Sequence, residues 1–302
     1  MPMHGWVNNV VVPPAPPSPP LDFVPVFVVG VPRSGTTWVQ RILASHPEAW
    51  MLLETYVFSS EIGLGALLKR VPGAEGPEAG LAPPGLGRLF QRAELVAELR
   101  ALVARWIRGG IGEGPRFAIE KSPWHLHEVP LIAEVFPEAR FVNVVRDGRD
   151  VAVSFVSARR SWSQAGEGEP KAVLREAAAA WRTGMSLGRE AQMALGTTLL
   201  EIRYEEVAAD PRAAYRRLFD HCGMPYDDSL LERTFEQTDF DLLNEERGEG
   251  RALRRGRVGE WRERLGLADA LAFHRLAGET LFESDYERDP RWWLRRPLRS
   301  RL

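Results

Sequence analysis

Residues 26–38 read VFVVGVPRSGTTW. The four apolar, mostly β-branched residues at 26–29 predict a fully buried strand of the kind found in parallel sheets. Gly30 then opens a turn, and apolar residues recur at helical spacing over 36–45 until His46-Pro47 ends the pattern. The N–H groups of such a turn and the positive end of the following helix face one point. The stretch therefore predicts a strand, an anion-binding loop and a helix.

The loop departs from the Walker A pattern, GxxxxGK[ST], in the position of its basic residue. Gly30 and Gly35 keep the spacing of that pattern, but Thr36 stands at the lysine position and the basic residue is Arg33. Such a loop can still bind phosphate oxygens, although it lacks the lysine that reaches the β- and γ-phosphates in nucleotide kinases and NTPases. An ordinary tight turn between a strand and a helix is the alternative interpretation.

Length and composition indicate a soluble globular protein. The chain has 302 residues, of which 44% are hydrophobic and 26% charged, and its 39 basic residues nearly balance its 41 acidic ones. We therefore expect no nucleic-acid partner, and any selectivity for anions must be local. Cys222 is the only cysteine, which argues against a disulfide framework or a cysteine metal cluster. With no apolar run near the ~20 residues of a membrane span and no signal-peptide pattern, we expect a cytoplasmic protein. The sequence shows no metal-ligand cluster, so we expect no metal.

The order of the predicted elements indicates an α/β fold. Further buried strands are predicted at 49–53, 117–121, 140–145 and 197–203, and helical patterns separate them. Alternating strands and helices predict a central parallel sheet of about five strands flanked by helices, a three-layer P-loop NTPase-like fold.

The rest of the chain divides by composition. We expect a proline-rich lead at 1–21, one domain over 22–290 and a basic tail at 291–302. The Gly/Pro-rich segment within 57–110, with a helix at about 88–107, is predicted to be a substrate-side insert or a loose surface loop.

Polar side chains follow the carboxyl ends of the predicted strands, where ligands bind in such sheets. They are Arg33, Glu54, Lys121, Arg146 and Tyr204. We expect these side chains to meet at one edge of the sheet.

The loop PxSGTTW resembles the 5′-phosphosulfate loop of sulfotransferases that use 3′-phosphoadenosine 5′-phosphosulfate (PAPS). The resemblance implies PAPS as donor and adenosine 3′,5′-bisphosphate (PAP) as product. It also implies that Thr36 and Thr37, with the N–H groups of the loop, hold the 5′-phosphate. The cofactor-binding residues that it implies in this stretch are Arg33, Ser34, Gly35, Thr36, Thr37 and Trp38.

Two further stretches resemble the elements of that family that bind the 3′-phosphate. In FVNVVRDGRDVAVS the matching residues are Arg146 and Ser154, and an arginine fork suits a phosphate. The alternative for Arg146 is an ion pair with Asp147 or Asp150. In ALRRGRVGEWRERL the matching residues are Arg254, Arg255 and Gly256, although a basic run is by itself more typical of a solvated surface.

The adenine site is implied by two more segments. RYEEVAADP resembles the family segment that follows the fifth strand and places Tyr204 near the base. QTDFDLL resembles a segment that frames the base with Thr238 and Phe240, and Trp38 would supply the other aromatic face. Core packing is the alternative for each of these side chains.

Sulfuryl transfer requires an in-line acceptor hydroxyl, neutralisation of charge on the leaving phosphate and a base, by analogy with phosphoryl transfer. The resemblance gives Arg33 the neutralising role. The histidine that small-molecule sulfotransferases use as base is replaced here by Pro123. Glu54 lies 21 residues after Arg33, as the base does in tyrosylprotein sulfotransferases, so we expect Glu54 to be the base and His125 to be the second candidate.

Lys121 is expected to stabilise the transferring group, and an ion pair with Glu120 is the alternative. The predicted activity is transfer of a sulfuryl group to a hydroxyl on a small molecule, a carbohydrate or a tyrosyl group. A P-loop kinase or NTPase and a non-catalytic nucleotide-binding homologue are the alternatives. Whether the chain forms a homodimer is not decided by the sequence.

Overall fold

The computed structural model describes residues 20–69, 91–162, 169–238 and 256–302. Most of the proline-rich lead, part of the 57–110 insert, and the candidate residues Phe240, Arg254 and Arg255 lie outside the described residues.

Five parallel strands form the central sheet in the order β2-β3-β1-β4-β5. Their bounds are β1 Val24–Val29, β2 Ala49–Met51, β3 Phe117–Lys121, β4 Arg140–Val145 and β5 Leu199–Arg203. The predicted sheet is confirmed, and the runs predicted at 117–121 and 140–145 are confirmed to the residue because both strands are buried along almost all of their length.

Two strands are shorter than predicted. β2 ends at Met51, not at Leu53, because the side-chain amide of Gln40 donates to the carbonyls of Leu52 and Ile119, at 2.8 and 3.3 Å, where the strand pairing would otherwise continue. β5 begins at Leu199, since the preceding residues form the 3-10 turn Gly196–Thr198.

Helices cover both faces of the sheet. They are α1 Thr36–Ala44, α2 Gly65–Lys69, α3 Arg92–Ile111, α4 Val129–Val135, α5 Gly148–Trp162, α6 Pro170–Leu195, α7 Tyr204–Ala209, α8 Pro211–Cys222, α9 Asp228–Thr238, α10 Trp261–Arg264 and α11 Leu267–Glu283. The 3-10 turns Pro123–Glu128 and Trp292–Arg295 precede α4 and follow α11. Within the described ranges, no helix has both the length and the apolar character that crossing a bilayer requires.

Three apolar clusters hold these layers together. One face of β1 and β4 packs through Phe27 and Phe141 against α3, α4 and α6, and the other packs through Val26 and Val28 against α1, α8 and α9. A third cluster joins α5, α6 and α11 to Trp292, so the segment predicted as a basic tail has a buried anchor. The register aligns Val28 with Lys121 and with Val142, so the loops after β1, β3 and β4 leave the sheet at the same edge.

Candidate active site

The loop after β1 forms an anion cradle at the start of α1. Arg33 and Gly35 adopt left-handed backbone conformations, with φ of 76° and 100°, and Gly35 is the N-cap of the helix. Among the described residues, no side chain caps the start of α1. The first N–H groups of a helix have no hydrogen-bond acceptor within the helix itself. The buried Ser34 hydroxyl has no hydrogen-bond partner among the described residues. These groups suit phosphate oxygens.

Arg33 joins this loop to the segment predicted to bind the 3′-phosphate. Its Nε donates to Ser154 Oγ on α5 at 3.1 Å, and its backbone carbonyl accepts a hydrogen bond from Arg146 Nη1 at 3.4 Å. Arg33, Ser154 and Arg146 therefore lie side by side. All three are predicted to bind the cofactor, and they come from two separate motifs.

Arg146 is buried with its guanidinium 4.2 Å over the ring of Tyr204. The predicted alternative of an ion pair is only partly met: Arg146 Nη2 lies 3.9 Å from Asp150, whereas Asp147 pairs with Arg149. Arg146 Nε has no partner among the described residues. A buried cation with an unused donor is suited to an anionic ligand.

Gly256, from the C-terminal part of the chain, packs against Tyr204 and Arg146. Its carbonyl accepts a hydrogen bond from the Tyr204 hydroxyl at 2.8 Å, and a Cβ at this position would lie 2.5 Å from Arg146 Nη1. Only a residue without a side chain allows the chain to approach Arg146 this closely. The predicted neighbours Arg254 and Arg255 are outside the described residues.

Asp150 fixes the position of the segment that carries Gly256. Its carboxylate accepts hydrogen bonds from the N–H groups of Gly259 and Trp261, at 2.7 and 2.9 Å. Burial and the neighbouring Asp147 raise the pKa of Asp150 to about 6, although Arg146 and the two N–H groups act in the opposite direction.

The predicted adenine residues pack tightly against one another. Trp38 Nε1 donates to the carbonyl of Thr238 at 3.1 Å, and the Trp38 ring meets Tyr204 edge-on at 5.4 Å. The Thr238 hydroxyl is buried between Tyr215 and the carbonyl of Thr234. Core packing, the alternative for these side chains, accounts for every contact observed here. Their contact with the adenine base of the cofactor therefore stays a prediction.

A cavity of about 450 Å³ lies between the phosphate loop and the end of β2. It is lined by Thr37, Gln40, Arg41, Met51, Leu52, Leu53, Glu54 and Lys121. Inside it, the Glu54 carboxylate accepts hydrogen bonds from Lys121 Nζ and from the Tyr56 hydroxyl, the latter at 2.7 Å. Lys121 pairs with Glu54 and not with Glu120, so the predicted alternative of a Lys121–Glu120 pair is wrong.

The segment that carries Glu54 and Tyr56 is held by side chains from β3 and the turn after it. Four backbone N–H groups of residues 55–60 donate to these side chains: Thr55 to Glu120 (3.2 Å), Tyr56 to Ser122 (3.1 Å), Phe58 to His125 (3.2 Å) and Ser60 to Glu128 (3.2 Å). We call these four side chains the 120–128 brace. It replaces the strand pairing that ends at Met51.

His125 belongs to this brace and is buried in the core. Because its Nε2 accepts the Phe58 N–H, its Nδ1 carries the proton and donates to Glu120 Oε2, at 3.1 Å. Burial disfavours ionisation of Glu120, but the hydrogen bond and electrostatic attraction of His125, together with hydrogen bonds from Ser122 and Thr55, outweigh it, and the pKa of Glu120 lies below its ordinary value. With both nitrogens bonded and no place in the lining of the 450 Å³ cavity, His125 does not fit the role of second candidate base.

Two features of the site were not anticipated. Tyr56 lies against Glu54, and burial and that hydrogen bond raise the pKa of its phenol to about 12, which keeps it a donor. The brace leaves a signal in the sequence, since the polar residues Glu120, Ser122 and His125 lie among the apolar residues of a buried strand and turn. Buried polar residues at such spacing indicate hydrogen bonds to a neighbouring segment.

Comparison with known proteins gives consistent results. The model of the Sulfotransferase family matches residues 25–228. Protein-tyrosine sulfotransferase A of Caenorhabditis elegans is 26% identical over 227 residues, which are 74% of this chain and 56% of that protein. Protein-tyrosine sulfotransferase 1 of Danio rerio is 26% identical over 213 residues, or 70% of this chain and 56% of that protein. The chain thus spans about half the length of these curated relatives.

A solved structure supports the fold. The crystal structure of mouse sulfotransferase SULT7A1 complexed with PAP aligns with a TM-score of 0.56 at 16% identity, over 90% of this chain and 88% of that chain. At this level of identity the likeness concerns the fold alone.

Proposed function

The chain belongs to the sulfotransferase family, and on that premise we propose that it transfers a sulfuryl group from PAPS to a hydroxyl acceptor and releases PAP. The observation that carries the proposal is the 450 Å³ cavity, in which Glu54 and Lys121 face Thr37 of the phosphate loop. A carboxylate and a cation beside an anion cradle are the groups that an in-line transfer to a hydroxyl requires.

The chain's own groups fit the proposed donor. Ser34 Oγ and Arg146 Nε are buried donors without partners in the described part of the chain, and both lie in segments that resemble PAPS-binding motifs. The loop around Ser34, with the start of α1, would hold the 5′-phosphate, and Arg146 with Ser154 would hold the 3′-phosphate. When bound, PAPS supplies an electrophilic sulfuryl group on a phosphate leaving group.

The roles of Glu54 and Lys121 rest on their place in the lining of the cavity, and the role of Arg33 rests on the resemblance of its loop to the family's phosphate loop. Glu54 takes the proton of the acceptor hydroxyl as its oxygen forms the bond to sulfur and the bond from sulfur to the phosphate oxygen breaks. Lys121 holds the Glu54 carboxylate in place, and Arg33 offsets the negative charge that develops on the leaving phosphate. The Tyr56 hydroxyl orients the other oxygen of Glu54.

The kinase alternative is not favoured. Thr36 stands where a P-loop kinase or NTPase has its lysine, and the helix start that this residue opens has no lysine in its first turn. The non-catalytic alternative would bind PAP and be indifferent to substitution of Glu54.

Calorimetric titration of PAP, with ATP·Mg²⁺ in parallel, tests the proposal. We expect micromolar PAP binding in the wild type, loss of at least about 100-fold in affinity in Arg146→Ala because a buried phosphate contact is removed, and no loss in Arg140→Ala. Arg140 is the matched control, since it lies exposed at the other end of β4. Binding of ATP·Mg²⁺ alone would overturn the sulfotransferase proposal in favour of a kinase.

A further inference from the structure

A second and larger cavity, of about 660 Å³, lies beside the first, between the segment after β2 and helix α3. It is lined by Phe27, Leu52, Thr55, Tyr56, Val57, Ile62, Gly63, Leu64, Leu67, Val103, Trp106, Ile107 and Glu120. We call it the apolar cavity. Its size lies within the range of pockets that enclose a whole small molecule.

The lining of the apolar cavity is mostly hydrocarbon, and its polar side chains are Thr55, Tyr56 and Glu120. None of the described lining residues is Lys or Arg. The Glu120 carboxylate is already taken up by hydrogen bonds from Thr55, Ser122 and His125. A polar ligand would therefore lose its bonds to water there without gaining others, which is costly.

The apolar cavity reaches the catalytic carboxylate through two residues. Leu52 lines both cavities, and Tyr56, which lines the larger one, donates its hydroxyl to Glu54 at 2.7 Å. The phenol oxygen of Tyr56 keeps a lone pair for a further hydrogen bond. One polar group of the apolar cavity is thus next to the proposed base.

Its outer rim is apolar as well. Ile62 is 77% exposed and Trp106 54% exposed, although both are large hydrophobic residues that water does not favour. An exposed apolar rim around an apolar cavity is typical of a surface that receives an apolar ligand.

We propose that the acceptor is an alcohol or phenol with an apolar body, which fills the apolar cavity and presents its hydroxyl to Glu54 beside Tyr56. This rests on the proposed sulfuryl transfer and narrows its substrate class. A tyrosyl group within a polypeptide is disfavoured because its flanking amides would enter a lining whose polar groups are already bonded.

The test is a series of linear primary alcohols, from 1-butanol to 1-octanol, titrated calorimetrically into the PAP-saturated protein and assayed as acceptors with PAPS. We expect affinity and kcat/KM to rise about two- to fourfold for each added methylene, the gain that burial of a CH₂ group gives. N-acetyltyrosinamide, assayed beside them, is expected to be a poorer acceptor than 1-octanol.

Two substitutions locate the binding. Trp106→Ala removes an exposed wall of the apolar cavity and is expected to weaken 1-octanol binding about fivefold, whereas Trp50→Ala removes an equally exposed tryptophan outside it and should have no effect. Leu67→Trp fills the cavity and should abolish the gain with chain length, whereas Ala66→Trp on the same helix should preserve it.

The outcomes separate this inference from the proposed function. If PAP does not bind, the proposed sulfuryl transfer itself fails. If PAP binds but the alcohols show no chain-length dependence, or the cavity variants match their controls, the inference is wrong. Preference for N-acetyltyrosinamide over 1-octanol would also overturn it and would indicate a tyrosyl acceptor.

Discussion

His125 Nε2 accepts a hydrogen bond from the backbone N–H of Phe58, at 3.2 Å, inside the core. The contact ties the turn after β3 to the segment after β2, and therefore ties Lys121 to Glu54 across 67 residues of sequence. The position of the proposed base depends on this brace because β2 ends three residues before Glu54.

We predict that His125→Ala destabilises the protein without removing the base. Loss of the ring leaves a buried N–H and a buried carboxylate oxygen unbonded, so the free energy of unfolding should fall by about 3 kcal/mol. We expect kcat to fall about tenfold or less, because Glu54 is intact. Urea unfolding and steady-state kinetics measure both quantities, and exposed His127→Ala is the control. A loss of kcat beyond about 1,000-fold in folded His125→Ala would restore His125 as base.

Glu54→Gln is predicted to abolish most of the turnover. Removal of a general base typically costs about 100- to 10,000-fold in kcat, while the affinity for PAP should stay within twofold because Glu54 is not one of the residues proposed to bind PAP. Glu61→Gln, an exposed carboxyl in the same segment, is the control. Unchanged kcat in Glu54→Gln would mean that another group takes the proton, or that the chain is a non-catalytic binder.

The sequence predicts the central strands of the sheet well because their burial determines which residues they contain. Strands β3 and β4 are buried along almost all of their length, so most of their residues are apolar and the two strands stand out in the sequence. β2 is an edge strand, and its end is set by Gln40, a side chain from a neighbouring helix. No local pattern records such a contact.

For the candidate site, too, the sequence indicates some features and not others. The rule that ligands bind at strand ends identifies Glu54, Lys121 and Arg146, but it does not reveal which charges pair. Lys121 pairs with Glu54 rather than with its sequence neighbour because successive side chains of a strand point to opposite faces. The burial of His125, which keeps it out of the lining of the 450 Å³ cavity, depends on packing that the sequence of the turn does not show.

Gly256→Ala is predicted to weaken PAP binding about tenfold by displacing the guanidinium that is proposed to bind the 3′-phosphate. The new Cβ would lie 2.5 Å from Arg146 Nη1, and Arg146 is stacked on Tyr204 and has little room to move. Gly109→Ala is the control, since a Cβ there meets nothing within 4 Å. Calorimetry with PAP is the measurement, and equal affinities in the two variants would show that Gly256 does not shape the site.

Asp150 is predicted to give the stability an unusual dependence on pH. Its pKa is raised from 3.8 to about 6 in the folded protein by burial and by Asp147, so the folded state binds the proton more tightly than the unfolded state. Its contribution to stability is present below about pH 4 and is lost as the pH rises through about 6, by about 3 kcal/mol in total.

Asp150→Asn removes this titration. Between pH 4 and pH 6, the free energy of unfolding of the variant should therefore rise relative to that of the wild type, while the variant loses a constant amount from its weaker bonds to Gly259 and Trp261. Urea unfolding at several pH values measures the difference. Asp228→Asn, at a 92% exposed side chain, is the control. Parallel curves for Asp150→Asn and wild type would contradict the prediction.

Arg149 is predicted to contribute most to the stability of the C-terminal segment. Its buried guanidinium donates to Asp147, Glu287 and the carbonyl of Tyr286, and lies against the ring of Trp261, 3.7 Å from its centroid. Arg149→Ala leaves two carboxylates without their cation, so the free energy of unfolding should fall by about 4 kcal/mol. Arg189→Ala, which breaks a half-exposed pair with a glutamate, should cost less than about 1 kcal/mol in urea unfolding. Equal losses in the two variants would contradict the prediction, because they would show that the buried contacts of Arg149 add no more stability than a half-exposed ion pair.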